Sequence, residues 1–190
     1  MLNQQRILEA LAELDRRLRA NGIQAEVCLF GGAAMILAFK SRQATKDIDA
    51  IFAPTSEVRE LARQIGQENG YDAGWFNDGV KGFVSGRGEH TAANLPQFPN
   101  LKLTMPVPSY LLAMKCMSAR AGVPNPVDVQ DVKFLIRRLG LRQAPDVLDI
   151  VVNYYPENQI LPKTQYFVES VFEEMQRENP ETSSGTSAGR

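Results

Sequence analysis

Two stretches decide the reading of this chain: Leu29-Phe30-Gly31-Gly32-Ala33-Ala34, and a little further on Thr45-Lys46-Asp47-Ile48-Asp49-Ala50-Ile51-Phe52. In the first, an apolar run closes on two glycines. Val27 to Phe30 is short and apolar, which predicts a buried strand. Ala33 to Phe39 is rich in Ala, Met and Leu, which predicts a helix. The second stretch is an apolar run opened by an Asp-x-Asp pair, and it predicts a strand over Asp47 to Phe52. Strand, glycine turn, helix and acidic strand in this order point to an α/β fold.

The same residues carry the candidate chemistry. Glycines after a strand let the backbone turn sharply and let a phosphate come close. The first amides of the following helix point to the same place and favour an anion. Tight strand–helix packing would call for the same glycines. Residues two apart on a strand share a face, so Asp47 and Asp49 point one way while Ile48 points to the core. Two carboxylates held that close repel unless a cation bridges them. The plainer alternative is that Asp47 ends a loop and Asp49 is solvated. His90 is the only histidine, so a multi-histidine zinc site is excluded and a Ser-His-Asp triad is disfavoured. The expected metal is hard and oxygen-ligated, Mg²⁺ or Mn²⁺.

Working outward, Ile7, Leu8, Leu11, Leu14 and Leu18 recur at helical spacing within an amphipathic helix over Leu2 to Ala20, stopped by Asn21-Gly22. A second helix is expected over Ser56 to Glu68, before Asn69-Gly70. Lys81 to Ser85 and Leu101 to Val107 are expected as strands. Beyond them the pattern is helical. Ser109 is placed to cap a helix running to about Ala121, and Gly122 to Pro126 reads as a turn. Asp128 to Leu139 is expected as a helix ending at Gly140, followed by helices near Pro145 to Asn153 and Lys163 to Arg177. This predicts an α/β core over 1–107, a helical part packed on it over 108–179, and a disordered Ser/Gly/Thr-rich tail over 180–190.

Composition narrows the function. The chain has 190 residues, 44% of them hydrophobic, enough for a core. A net charge of −1 gives no bulk electrostatic case for nucleic acid or membrane. The two cysteines, Cys28 and Cys116, sit in apolar segments without CxxC spacing and read as reduced core residues. The N-terminal residues lack a secretory pattern and no apolar run approaches a bilayer span, so a cytoplasmic protein is expected.

Lys115 stands out in the later part, inside Leu111-Leu-Ala-Met-Lys-Cys-Met117. A lysine there must snorkel, pair with an acid or face a polar cleft. Asp128 and Asp131 lie one helical turn apart and share a face, where one can pair with Lys115 and the other can cap the helix.

Taken together, Gly31-Gly32, Arg42, Thr45, Asp47 and Asp49 resemble the signature of the nucleotidyltransferase superfamily with the polymerase-beta-like fold. More narrowly, they resemble the minimal bacterial branch containing the AbiEii abortive-infection toxins. Tyr110 to Lys115 is similar to that branch's lysine-bearing helix, and Asp128 to Leu135 to its acidic helix. The resemblance implies a small mixed sheet of the nucleotidyltransferase type flanked by helices, with Mg²⁺ (or Mn²⁺) on Asp47 and Asp49. It implies a nucleoside triphosphate held by Gly31, Gly32, Arg42, Thr45 and Lys115, with Asp131 completing the site. It also implies nucleotidyl transfer to tRNA or to a protein, in a toxin–antitoxin or phage-defence module with a cognate antitoxin.

One departure opposes transfer. Many members of the superfamily carry a third carboxylate on a later central strand, and Leu101 to Val107 offers Lys102 and Thr104 but no acid. The rival reading is a module that keeps the fold, senses a nucleotide or binds a protein, and has lost catalysis.

Overall fold

The computed structural model describes residues 1–119 and 125–178. The chain divides into two units, Met1–Val107 and Pro108–Arg190. The expected turn over 122–126 falls largely, and the expected disordered tail entirely, outside the described residues.

In the first unit, helix α1 (Gln4–Ala20) buries Ile7, Leu11, Leu14 and Leu18, the apolar stripe of its sequence. Asn3 caps it, its Oδ1 accepting from the Arg6 amide at 2.9 Å. Strand β2 (Ala25–Leu29) leads into α2 (Gly31–Phe39). Strand β3 (Ala44–Thr45) pairs with β1 (Leu2–Asn3) in a small antiparallel ribbon. Strand β4 (Ile48–Ala53) and helix α3 (Thr55–Asn69) follow, and Gly70 ends α3 in the left-handed conformation. Short strands β5 (Phe76–Asn77) and β6 (His90–Thr91) precede β7 (Leu101–Pro106).

Five of these strands form a mixed sheet in the order β5-β4-β2-β7-β6. β2 lies at its centre, antiparallel to β4 and parallel to β7. Alternation sorts the two faces. Val27, Leu29, Ile48, Ala50, Phe52, Leu101, Leu103 and Met105 are buried. Helices α1 and α3 pack on one another and against β7 and β4. The alternate positions Cys28, Asp49, Ile51 and Thr104 are half-buried. Arg17 pairs with Glu13 on its own helix and with Glu68 on α3, fastening the two helices together.

Three expectations are corrected here. The segment expected as a strand over Lys81 to Ser85 is instead a 3-10 turn at Gly79–Phe83. Local bonds win there: Asn77 Oδ1 accepts from the Gly79 amide at 2.9 Å, and the Asp78 carboxylate takes Lys81 and Arg59. Helix α2 starts at Gly31 rather than Ala33, so the glycines form its first turn. Residues 2–3 are strand and not helix, because they pair with Ala44–Thr45.

The second unit is helical. Helix α4 (Pro108–Ser118) buries every residue from Tyr110 to Cys116 and packs on α5 (Pro126–Leu139), α6 (Ala144–Tyr154) and α7 (Pro162–Glu178). A helix surrounded in this way needs apolar side chains all round, as its sequence has. Ser109 does not cap it. Its hydroxyl shares a 2.8 Å hydrogen bond with the Tyr154 hydroxyl. Asn125 Oδ1 caps α5 by accepting from the Val127 amide at 3.1 Å, and Gly140 ends that helix in the left-handed conformation. No described helix is long and apolar enough to cross a membrane.

Sequence reading passed over Lys133. Its side chain is fully buried on α5, with Nζ bonded to Glu174 at 2.6 Å and Glu178 at 2.7 Å on α7. Burial opposes the charge, but the two glutamates outweigh it and the net shift of the ammonium is upward. A raised lysine contributes stability that is complete below its unfolded value of about 10.4 and is lost as pH rises through the folded value. Lys133→Met keeps the buried stem and leaves two half-exposed glutamates that water can reach. Chemical denaturation at pH 7 is expected to show a loss under about 1 kcal/mol.

Candidate active site

The pairing of β2 with β4 assembles the site. Leu29 stands opposite Ala50, and the Phe30 amide donates to the Asp49 carbonyl at 2.8 Å. Antiparallel pairing therefore sets the end of β2, with its glycines, beside the start of β4, with its acids. Strand β4 starts at Ile48 and not at Asp47, so alternation places only Asp49, half-buried between the buried Ile48 and Ala50, while Asp47, also half-buried, stands just before the strand. Lys46 is exposed.

The two glycines have different neighbours. Gly31 has φ +53°, and a Cβ there would meet Asp49 Oδ2 at 2.9 Å. A Cβ at Gly32 would meet Thr45 Oγ1 at 2.3 Å, Thr45 Cβ at 2.8 Å and Arg42 Nη1 at 2.8 Å. Gly31, Gly32, Arg42, Thr45 and Asp49 are thus in one place. The room a side chain would take at either glycine is filled by the chain itself, so both glycines serve packing. What they leave toward a ligand is the backbone. Phe30, the N-cap of α2, supplies no side-chain acceptor to the first-turn amides, which suits an anion there. Arg42 Nε donates to the Ala44 carbonyl at 3.1 Å, fixing the guanidinium beside the glycine turn. Arg42 also lines a polar cleft of about 430 Å³ with Asn3, Gln5 and Lys40.

The donor set fits a magnesium ion. No group of three or more His, Cys, Asp or Glu side chains able to hold a metal occurs among the described residues. Two carboxylates would leave most coordination positions to water and substrate phosphate, the way Mg²⁺ is usually bound. On β7 the positions sharing the Asp49 face are Lys102, Thr104 and Pro106, by the register of Cys28 with Thr104. None is an acid. Burial raises the Cys28 thiol to about 11, partly offset by a hydrogen bond with Thr104, so that side chain is neutral at pH 7.

Lys115 and Asp131 belong to the second unit. Lys115 Nζ lies 2.8 Å from Asp131 and 3.2 Å from Asp128. The Lys115 and Asp131 side chains are 8% and 4% exposed, whereas Asp128 is 47% exposed. Of the roles open to Lys115, the structure realises the pairing with acids. Asp131 supplies the buried partner and Asp128 the one at the rim.

A family model described as nucleotidyltransferase of unknown function (DUF6036) matches residues 5–133. That is more than half of the chain, and the chain belongs to this family. No curated protein and no solved structure matches it.

Two contrasts follow. Gly32→Ala drives a methyl into buried Thr45 and is expected to cost about 1–3 kcal/mol in thermal or denaturant unfolding. Gly31→Ala puts a side chain on a left-handed backbone, which costs about 1–2 kcal/mol by itself. It also meets the tip of Asp49 and is expected to displace the carboxylate, which a Mn²⁺ titration of the variant reads as weakened binding. In the second unit, Lys115→Met takes the ammonium away from the buried Asp131 carboxylate and is expected to destabilise the fold, by up to about 3–5 kcal/mol. Lys115→Met with Asp131→Leu is expected to recover most of that loss. Equal melting of wild type and Lys115→Met would contradict the pairing.

Proposed function

We propose that the first unit binds a nucleoside triphosphate with Mg²⁺ (or Mn²⁺) and transfers its nucleotidyl group to an acceptor hydroxyl. The acceptor hydroxyl gives up its proton to solvent, its oxygen attacks the α-phosphorus, and pyrophosphate leaves with the electrons of the broken P–O bond. The observation that carries this reading is the juxtaposition of Asp49 with Gly31-Gly32 across β2 and β4, in a chain of the nucleotidyltransferase family. Asp47 and Asp49 would hold the metal, which when bound neutralises phosphate charge and acidifies the attacking hydroxyl. The amides of the first turn of α2 orient phosphate oxygens. Arg42 offers a planar fork for another pair of them. Such a site works by positioning and charge, with no covalent step on the protein.

The resemblance to the AbiEii branch supports an RNA acceptor, tRNA in particular, or a protein acceptor, and a toxin role opposed by a cognate antitoxin. A second reading has its own observation. The acid-free face of β7 favours a module that binds the nucleotide and does not transfer it.

One set of measurements separates these readings. Calorimetry with each nucleoside triphosphate and Mg²⁺ tests binding, and labelled triphosphate with total RNA or lysate tests transfer. Binding with label moved to a defined acceptor supports transfer, and binding without movement of label supports the sensing module. Asp47→Asn with Asp49→Asn is expected to abolish metal-dependent binding at unchanged or raised melting temperature, because two neighbouring like charges are removed. Unchanged binding by the folded double variant would overturn the metal role.

A further inference from the structure

His90 is the only histidine of the chain, and the sheet places it in line with the acidic strand. Asn77 pairs with Asp49. The Phe30 amide bonds to the Asp49 carbonyl, and Phe30 is extended, with φ −123° and ψ −179°. The pairing of β2 with β7 runs as far as Cys28 with Thr104, and Phe30 and Pro106 each lie two residues beyond that pair. Pro106 pairs with His90. A row thus runs from Asn77 and Asp49 to Phe30, just past the end of β2, and by the contact of the Phe30 and His90 rings to His90 and its partner Pro106.

One ring contact on that row braces His90. Phe30, 1% exposed, meets the His90 ring edge to face, with centroids 6.3 Å apart and planes at 86°. His90 itself is exposed. Partial burial still holds the imidazole below its ordinary range, so the ring is neutral at pH 7. Three strand spacings separate it from Asp49, about 14 Å. That is too far for His90 to ligate an ion held by Asp49, since a histidine nitrogen bonds a metal at about 2 Å. It is instead the length scale of a nucleotide, with phosphates at one end of the row and base at the other.

We propose that His90, braced by Phe30 and Pro106, is the stacking platform for the nucleobase of the bound triphosphate. The inference rests on the reading of Asp47 and Asp49 as the phosphate-and-metal end of the site, and it adds the other end. A stacking contact accepts any base by its π-face, so this platform sets affinity more than base choice.

The test compares Mg²⁺ complexes of a nucleoside triphosphate and of inorganic tripolyphosphate, which has no base, by calorimetry. Wild type is expected to bind the nucleotide more tightly. His90→Ala is expected to lose about tenfold in nucleotide affinity and nothing in tripolyphosphate affinity, while His90→Phe keeps most of the nucleotide affinity. The single histidine also gives one pair of imidazole C–H signals, Hε1 and Hδ2, in proton NMR. That pair should move with nucleotide and stay still with tripolyphosphate. Equal losses for both ligands in His90→Ala would make His90 a phosphate contact, and no loss for either would remove it from the site. Either result overturns the platform and leaves the nucleotide reading standing. Wild type that binds neither ligand overturns both.

Discussion

The antiparallel pairing of β2 with β4 is the constraint on which the first unit depends. One backbone hydrogen bond, from the Phe30 amide to the Asp49 carbonyl, fixes where the glycine turn meets the acidic strand. A slip of one residue in that register would turn Asp49 toward the core and Ile48 to the open face. The buried run of Val27, Leu29, Ile48, Ala50 and Phe52 opposes such a slip, because it would bring the whole apolar set to the wrong side. Core packing and placement of the candidate site are therefore one interaction seen from two faces of the sheet. The glycines follow from it. Only a residue without Cβ fits at Gly31 and Gly32 once Asp49, Thr45 and Arg42 crowd against them.

The second unit poses the opposite problem. It keeps charges inside an apolar helical bundle, and it meets the cost of burial in two ways. Lys115 and Asp131 satisfy one another out of water, so neither can be removed alone without exposing the penalty of the other. Lys133 buries its stem completely but reaches glutamates that are about half exposed, so its partners retain water whatever happens to the lysine. Two lysines with similar burial thus carry different energetic weight, and the difference lies in their partners.

Much of this was legible from residues alone, for physical reasons. Helices α1 and α3 announce themselves by long apolar stripes closed by Asn-Gly. The alternation Ile48, Asp49, Ala50 fixes which side of β4 Asp49 takes, whereas Asp47 falls just before the strand. What stayed hidden depends on distant pairing. Lys81 to Ser85 has apolar members that suggest a strand, yet Asn77 and Asp78 capture the local backbone and charges in a turn over Gly79–Phe83. Strands β5 and β6 are two residues long, too short for any periodicity, so the alignment of Asn77 and His90 with Asp49 emerges only from the sheet. The glycine pair could be read from sequence as phosphate contact or as packing. The packing component became visible only when Thr45 and Arg42 were found in the space beyond Gly32. Lys133 gave no signal, because its partners lie on another helix far along the chain.

The central claim is that Asp47 and Asp49, set beside the glycine turn by the β2–β4 register, hold the metal of a nucleoside triphosphate. The most direct measurement is anomalous diffraction from crystals grown with Mn²⁺ and a non-hydrolysable triphosphate analogue. The account predicts an anomalous peak within carboxylate bonding distance of both aspartates, with phosphate density at the first turn of α2. A well-occupied nucleotide whose metal lies away from both aspartates would contradict it.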